Sequence, residues 1–321
     1  MERNLSLDIL RIMACIAVIM IHTAGSPIVH GFVSPGSMDY NCCLILDALS
    51  RWSVPVFAML TGFFMLDTAK ELPIKKLFSK YILRLFTALV FWSVFYAITL
   101  HKSFYPLGSQ EGHFWYVGMC IGLYLAVPIM RMIAANERLL SYFCWTWLVI
   151  KCYQFIGNFT TLPINLRDVI FVDYVGYCLS AYYLKTFTRT KNIRTGIYIL
   201  GILGTITTIL APVLSQNDDT VFFNYTAPNV IVTAIALLTF FMHHPISLRQ
   251  SWANVITTIS KCTFGIYLVH MWVLIQIFFR LHRFIPNSLI LCFVCVPVVF
   301  LTGGGISLIM SKLRYFNKYI I

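Results

Sequence analysis

Leu5-Ser-Leu-Asp8-Ile-Leu-Arg11-Ile-Met-Ala-Cys15-Ile-Ala-Val18-Ile-Met-Ile-His22 reads as one helix long enough and apolar enough to cross a membrane. Between Leu7 and Ile21 only Asp8 and Arg11 interrupt the apolar run. An ionisable side chain at the centre of a hydrocarbon layer costs at least about 2.5 kcal/mol on insertion scales, so one that is kept is a candidate for function. Arg11 and His22 are eleven positions apart, which is three helical turns plus about 20°. They therefore share one face, about 16 Å apart along the axis, with Asp8, Cys15 and Val18 in the same stripe. The plainer alternative is that Arg11 pairs with Asp8 and extends toward the surface, while His22 ends the helix at the interface.

The rest of the chain agrees with a membrane reading. Its 321 residues are 59% hydrophobic and 11% charged, against about 25% charged in a soluble domain. Ten apolar blocks can be drawn, at about 6–24, 44–67, 78–100, 114–135, 139–157, 167–186, 193–214, 225–243, 258–280 and 287–312, each near the length needed to span. The expectation is an all-α polytopic integral membrane protein of about ten transmembrane helices. A single membrane domain fills residues 1–321, with no room for a soluble one. The first block is expected to be retained rather than cleaved as a signal, because Asp8 and Arg11 break the uncharged centre that a signal requires.

The net charge of +12 is distributed by topology. Counted by alternate connections, 17 Lys and Arg residues fall on the side of the N-terminus and 4 on the other. That asymmetry predicts both termini to be cytoplasmic and the basic loops to meet anionic lipid headgroups, with no nucleic-acid partner. Outer loops are expected at Gly25–Tyr40, Leu100–Gly112, Thr160–Asn165 and Ser215–Tyr225. The ten cysteines are scattered, imply no disulfide framework, and offer no metal site at Cys292 and Cys295.

Other polar residues fall inside or at the ends of spans. Arg51 follows Asp47 by four positions, so a structural ion pair and a functional cation are both open. His113 begins the fourth span in His113-Phe-Trp-Tyr116, where Trp115 and Tyr116 read as interfacial anchors. Tyr267 and His270 lie one turn apart on the ninth span, and His270 suits either a satisfied core histidine or a catalytic one. Lys151 and Asp173 are expected to pair across the bundle.

These positions carry a family resemblance. Leu7-Asp-Ile-Leu-Arg11 with His22, Arg51-Trp-Ser-Val-Pro-Val-Phe57 with Leu60-Thr-Gly62, His113-Phe-Trp-Tyr116 with Tyr124-Leu-Ala-Val-Pro128, and Phe264-Gly-Ile-Tyr-Leu-Val-His270 resemble, in order, the motifs of the membrane acyltransferase 3 family. Thr61 stands where the family usually has Ser. The chain looks most like its short stand-alone bacterial branch, which O-acetylates enterobacterial common antigen or O-antigen and lacks an appended SGNH-type domain.

The resemblance implies a multi-pass protein of the bacterial inner membrane that moves acetyl from cytoplasmic acetyl-CoA to a hydroxyl of a surface polysaccharide or lipid-linked glycan. No metal is implied. On that reading His22 is the general base, and Arg11 meets acetyl-CoA from inside, in company with Tyr267 and His270. Arg51 and His113 orient the glycan or stabilise the oxyanion. A covalent acetyl-histidine relay is the variant mechanism. A transporter or flippase for a lipid-linked glycan is the competing function, since it too needs many spans and buried charges.

Overall fold

The computed structural model describes residues 4–101, 112–160, 173–188, 190–218 and 220–320, and among them it contains helices and no strand. The helices are α1 (Leu5–Val29), α2 (Met38–Ala48), α3 (Ser53–Met65), α4 (Ile74–Lys76), α5 (Leu83–Thr99), α6 (Trp115–Ala134), α7 (Glu137–Ile156), α8 (Asp173–Phe187), α9 (Lys191–Ser215), α10 (Pro228–His243), α11 (Gln250–His282), α12 (Ser288–Lys312) and α13 (Arg314–Tyr319). Polar caps start several of them where the first backbone N–H groups need acceptors. The Asn4 side chain accepts from Leu7 N, Ser37 from Tyr40 N and Asn287 from Ile290 N.

Nine helical segments among the described residues are long and apolar enough to span a membrane, rather than ten. The sixth expected span is represented by α8, which has only 15 residues, and its expected start at 167–172 lies outside the described residues. Two spans are not plain helices. The segment Met38–Met65 breaks between α2 and α3 at 49–52, directly before the motif Ser53-Val-Pro55. Proline has no N–H to give to the preceding turn, so a new helix begins there more readily than an old one continues. The segment Ile74–Thr99 contains a π-helical stretch, Leu77–Ile82, between α4 and α5. The first outer loop is also shorter than expected, because α1 runs on through Pro27 to Val29 and α2 begins at Met38. The expected loops at 100–112 and 160–165 lie largely outside the described residues.

The spans alternate in direction, and polar contacts tie them at both ends. On the face that carries the N-terminus, Ile246 N donates to Ser6 Oγ at 2.8 Å and Arg131 donates to the carbonyl of Met65 at 2.8 Å. On the opposite face, Ser288 N donates to Asp39 at 3.0 Å, and Gln216 donates to Asn41 at 2.9 Å. Helix α1 sits in the middle, packed against α2, α3, α10, α11 and α12. One apolar core joins α3, α6, α7, α8 and α10 on one side of it, and a second joins α5, α11 and α12 on the other. Close approach needs small residues. At Gly62 of α3 a Cβ would stand only 2.4 Å from the Cα of Cys178 in α8.

Candidate functional site

Helices α1, α6 and α11 bring three histidines together. The ring of His22 lies 5.2 Å from that of His270, centroid to centroid, and His270 lies 5.1 Å from His113. His113 precedes the first turn of α6, and His270 lies inside α11. His270 is fully buried and His113 nearly so, whereas His22 is half-buried. The Nδ1 of His270 lies 2.5 Å from the Tyr267 carbonyl one turn earlier. A carbonyl only accepts, so Nδ1 carries the proton and Nε2 is the basic nitrogen. Among the described residues neither His270 Nε2 nor either nitrogen of His113 has a hydrogen-bond partner. Buried polar atoms are usually satisfied, and an unsatisfied set in one place marks a site. The Tyr267 hydroxyl donates to the His113 carbonyl and so fixes the start of α6 against α11.

Arg51 stands at the break between α2 and α3, close enough to His22 for its charge to act on that ring. Its guanidinium donates to Asp47 at 2.5 Å and lies over the rings of Phe223 at 4.4 Å and Tyr225 at 5.6 Å. The structural ion pair expected of Arg51 is therefore present. Asp47 offsets its charge, and the arrangement fixes a cation beside the histidines.

Arg11 is three turns from His22 on α1, as its spacing requires. It donates to Asp8 at 3.3 Å and to Ser260 of α11 at 3.2 Å, and it lies over the Phe64 ring at 5.3 Å. Ser260 in turn donates to Asp8 at 2.6 Å, so a three-membered network holds the guanidinium. Arg11 lines two adjoining cavities. The larger, about 770 Å³, lies toward the face of the N-terminus, with Tyr81, Arg84, Ser260, Lys261, Ser311 and Asn317 in its wall. The π-helical stretch supplies Tyr81, and Arg84 follows in α5. The smaller, about 300 Å³, is mostly apolar and reaches deeper, past Phe57, Thr61 and Cys120 to Tyr116 and Tyr267. Leu85, Tyr124, Thr263 and Phe264 border both. A basic, hydroxyl-lined mouth thus leads to an apolar lobe that ends one helical turn from His270.

A sequence profile described as an acyltransferase domain matches residues 4–304, nearly the whole chain. The chain belongs to the acyltransferase 3 family. Among curated proteins and among solved structures no match is found.

Of the six residues expected at the site, Arg11 and Tyr267 line the smaller cavity, and His22, Arg51, His113 and His270 border neither cavity. His22, His270, His113 and Tyr267 form one chain of ring contacts, with Tyr267 in the wall of the lobe, while Arg51 pairs with Asp47 over Phe223 and Tyr225. Tyr116 departs from its expected place as an interfacial anchor. It turns into the lobe, with its ring 5.4 Å from that of Tyr267. Arg84 and Tyr81 were not singled out from sequence, because a charge at the end of a span looks like any other topology residue. Ser260 was missed for a similar reason, since one serine in a helix carries no periodic signal. Lys151 donates to Asp173, and that expected pair lies apart from the histidines.

Proposed function

We propose that the protein transfers an acetyl group from acetyl-CoA to a hydroxyl of a surface polysaccharide or lipid-linked glycan, across the bacterial inner membrane. The observation that carries this reading is a basic mouth adjoining an apolar lobe whose wall includes Tyr267, itself in ring contact with a cluster of three histidines. The excess of Lys and Arg on the N-terminal face supports a cytoplasmic mouth. Coenzyme A suits the path in its parts. Its phosphates match Arg11, Arg84 and Lys261, and its slender pantetheine arm matches the apolar lobe.

His22 takes the proton of the glycan hydroxyl as the oxygen attacks the acetyl carbonyl. A new C–O bond forms, and the carbonyl pair moves onto oxygen. Arg51 and His113 face that oxyanion with positive charge and an unpaired ring N–H respectively. Collapse of the tetrahedral intermediate breaks the C–S bond, and the thiolate leaves with the proton held by His22. His270 Nε2, beside His22, steadies the imidazolium.

Purified protein in lipid vesicles, given labelled acetyl-CoA and surface polysaccharide stripped of O-acetyl esters by mild alkali, is expected to label the polysaccharide. Movement of glycan across the vesicle without label would replace acetyl transfer with transport.

A further inference from the structure

A second polar cavity lies on the face opposite the N-terminus, away from the donor path. It holds about 210 Å³ and is bordered by Lys151, Gln154 and Asn158 of the end of α7, Asp173 at the start of α8, and Asn224 and Thr226 before α10. Its chemistry is unusual for this chain. Lys151 is 4% exposed, pairs with Asp173 and donates to Gln154 at 2.9 Å. The ion pair cancels its own charge, so the cavity offers a neutral wall of amides, hydroxyl and carboxylate. Within it Asn158 donates to the Phe155 carbonyl at 3.0 Å and Thr226 Oγ1 to Asn224 Oδ1 at 3.0 Å, so the wall is a pre-ordered set of donors and acceptors of the kind that suits sugar hydroxyls, without the surplus cation a phosphate would demand.

An aromatic shelf joins this cavity to the reacting end of the donor path. Arg51 lies over Tyr225, and the Tyr225 ring stacks with Trp115 at 6.0 Å. Trp115 in turn lies 5.7 Å from Tyr174, the neighbour of Asp173 in sequence. Trp115 is 37% exposed, so the shelf is open to a ligand. Aromatic faces hold apolar sugar faces, while their polar rims reach hydroxyls. The volume is below the roughly 300–1,000 Å³ of sites for drug-sized ligands, so it admits one ring-sized group.

We infer that this cavity is an acceptor subsite that seats a neutral sugar unit next along the glycan from the acetylated one, with the shelf bridging the two. The inference rests on the glycan-acetylation reading and adds where the chain is gripped. It makes the enzyme sensitive to acceptor length. A single sugar reaches only the histidines, whereas an oligosaccharide also reaches Asp173 and Asn158.

The test uses full-length protein in vesicles with two variants, Asn158→Trp, which fills the cavity mouth from an exposed position, and Asp173→Asn, which keeps the shape. Probes are the alkali-deacetylated polysaccharide cut to monosaccharides and to oligosaccharides of several sugars. Saturation-transfer NMR reads their binding without turnover. The expected result is about tenfold weaker oligosaccharide binding in either variant, the scale of one or two lost hydrogen bonds. Monosaccharide binding and the KM for acetyl-CoA stay unchanged. If either folded variant binds oligosaccharides as the wild type does, the subsite is wrong. If binding falls as expected while the wild type labels no glycan, the subsite stands and the acetyl-transfer reading falls.

Discussion

Replacing His22 by alanine separates the two ends of the path. The side chain lies beside His270, with ring centroids 5.2 Å apart, and it borders neither of the cavities that Arg11 lines. Its loss should therefore leave donor binding alone and remove proton transfer. A positioned general base contributes about 10²–10⁴ in rate, or about 3–5 kcal/mol of barrier. The lower end is expected here, because His270, in ring contact with His22, remains and partly replaces the lost base. The assay is labelled-acetyl transfer in vesicles at several acetyl-CoA concentrations. kcat should fall by at least about a hundredfold with KM for acetyl-CoA unchanged. More than half the wild-type kcat would refute the assignment of His22 as base. Label retained on wild-type protein without acceptor, and absent from His22→Ala, would replace direct transfer with an acetyl-histidine relay.

Three further outcomes follow from the packing and the charges. Arg11→Ala should raise the KM for acetyl-CoA about tenfold or more, since Arg11 lines both donor cavities; Arg11→Lys, which keeps the charge but not the fork, should recover only part of it, and an unchanged KM would remove Arg11 from the donor site. Gly62→Ala should lower thermal stability in detergent by about 1–3 kcal/mol or prevent folding, because the added Cβ meets the Cys178 backbone at 2.1 Å; wild-type melting would show that α3 and α8 do not touch there. Asp67 lies between spans, where its burial opposes ionisation but Lys185 and Lys70 hold its carboxyl below the usual range. A depressed carboxyl stabilises above the unfolded value near 3.9 and loses that stabilisation as pH falls through the folded one. Asp67→Asn should therefore melt with a shallower loss below about pH 4 than the wild type, and parallel profiles would discount the pair.

The sequence carried what is periodic and lost what is broken. Hydropathy blocks located most of the spans because each helix must hide a run of apolar residues on its own. It missed the break at 49–52 because hydropathy is unaffected by a turn, and only Pro55 hinted at it. It also treated 78–100 as one regular helix, although the π-helical stretch changes which side chains after Leu77 face inward. That shift places Tyr81 on the wall of the larger cavity. The stripe of Arg11 and His22 was legible because both lie on one straight helix. The histidine cluster was not, since His22, His113 and His270 come from three helices separated by most of the chain. Their meeting depends on helix packing, which no local pattern records.

For Arg11 and Arg51 a structural ion pair does not preclude a functional role. A guanidinium does not deprotonate to escape a membrane interior, so its charge must be matched where it stands. Asp8 and Ser260 match Arg11, and Asp47 matches Arg51. Arg11 still faces two cavities, and the Arg51 Nε has no partner among the described residues. A carboxylate three or four positions away is thus one way in which a cation is held in the bundle. In this chain the residues that cost most to bury are positioned by local sequence, and the remainder of the site is positioned by what packs against them.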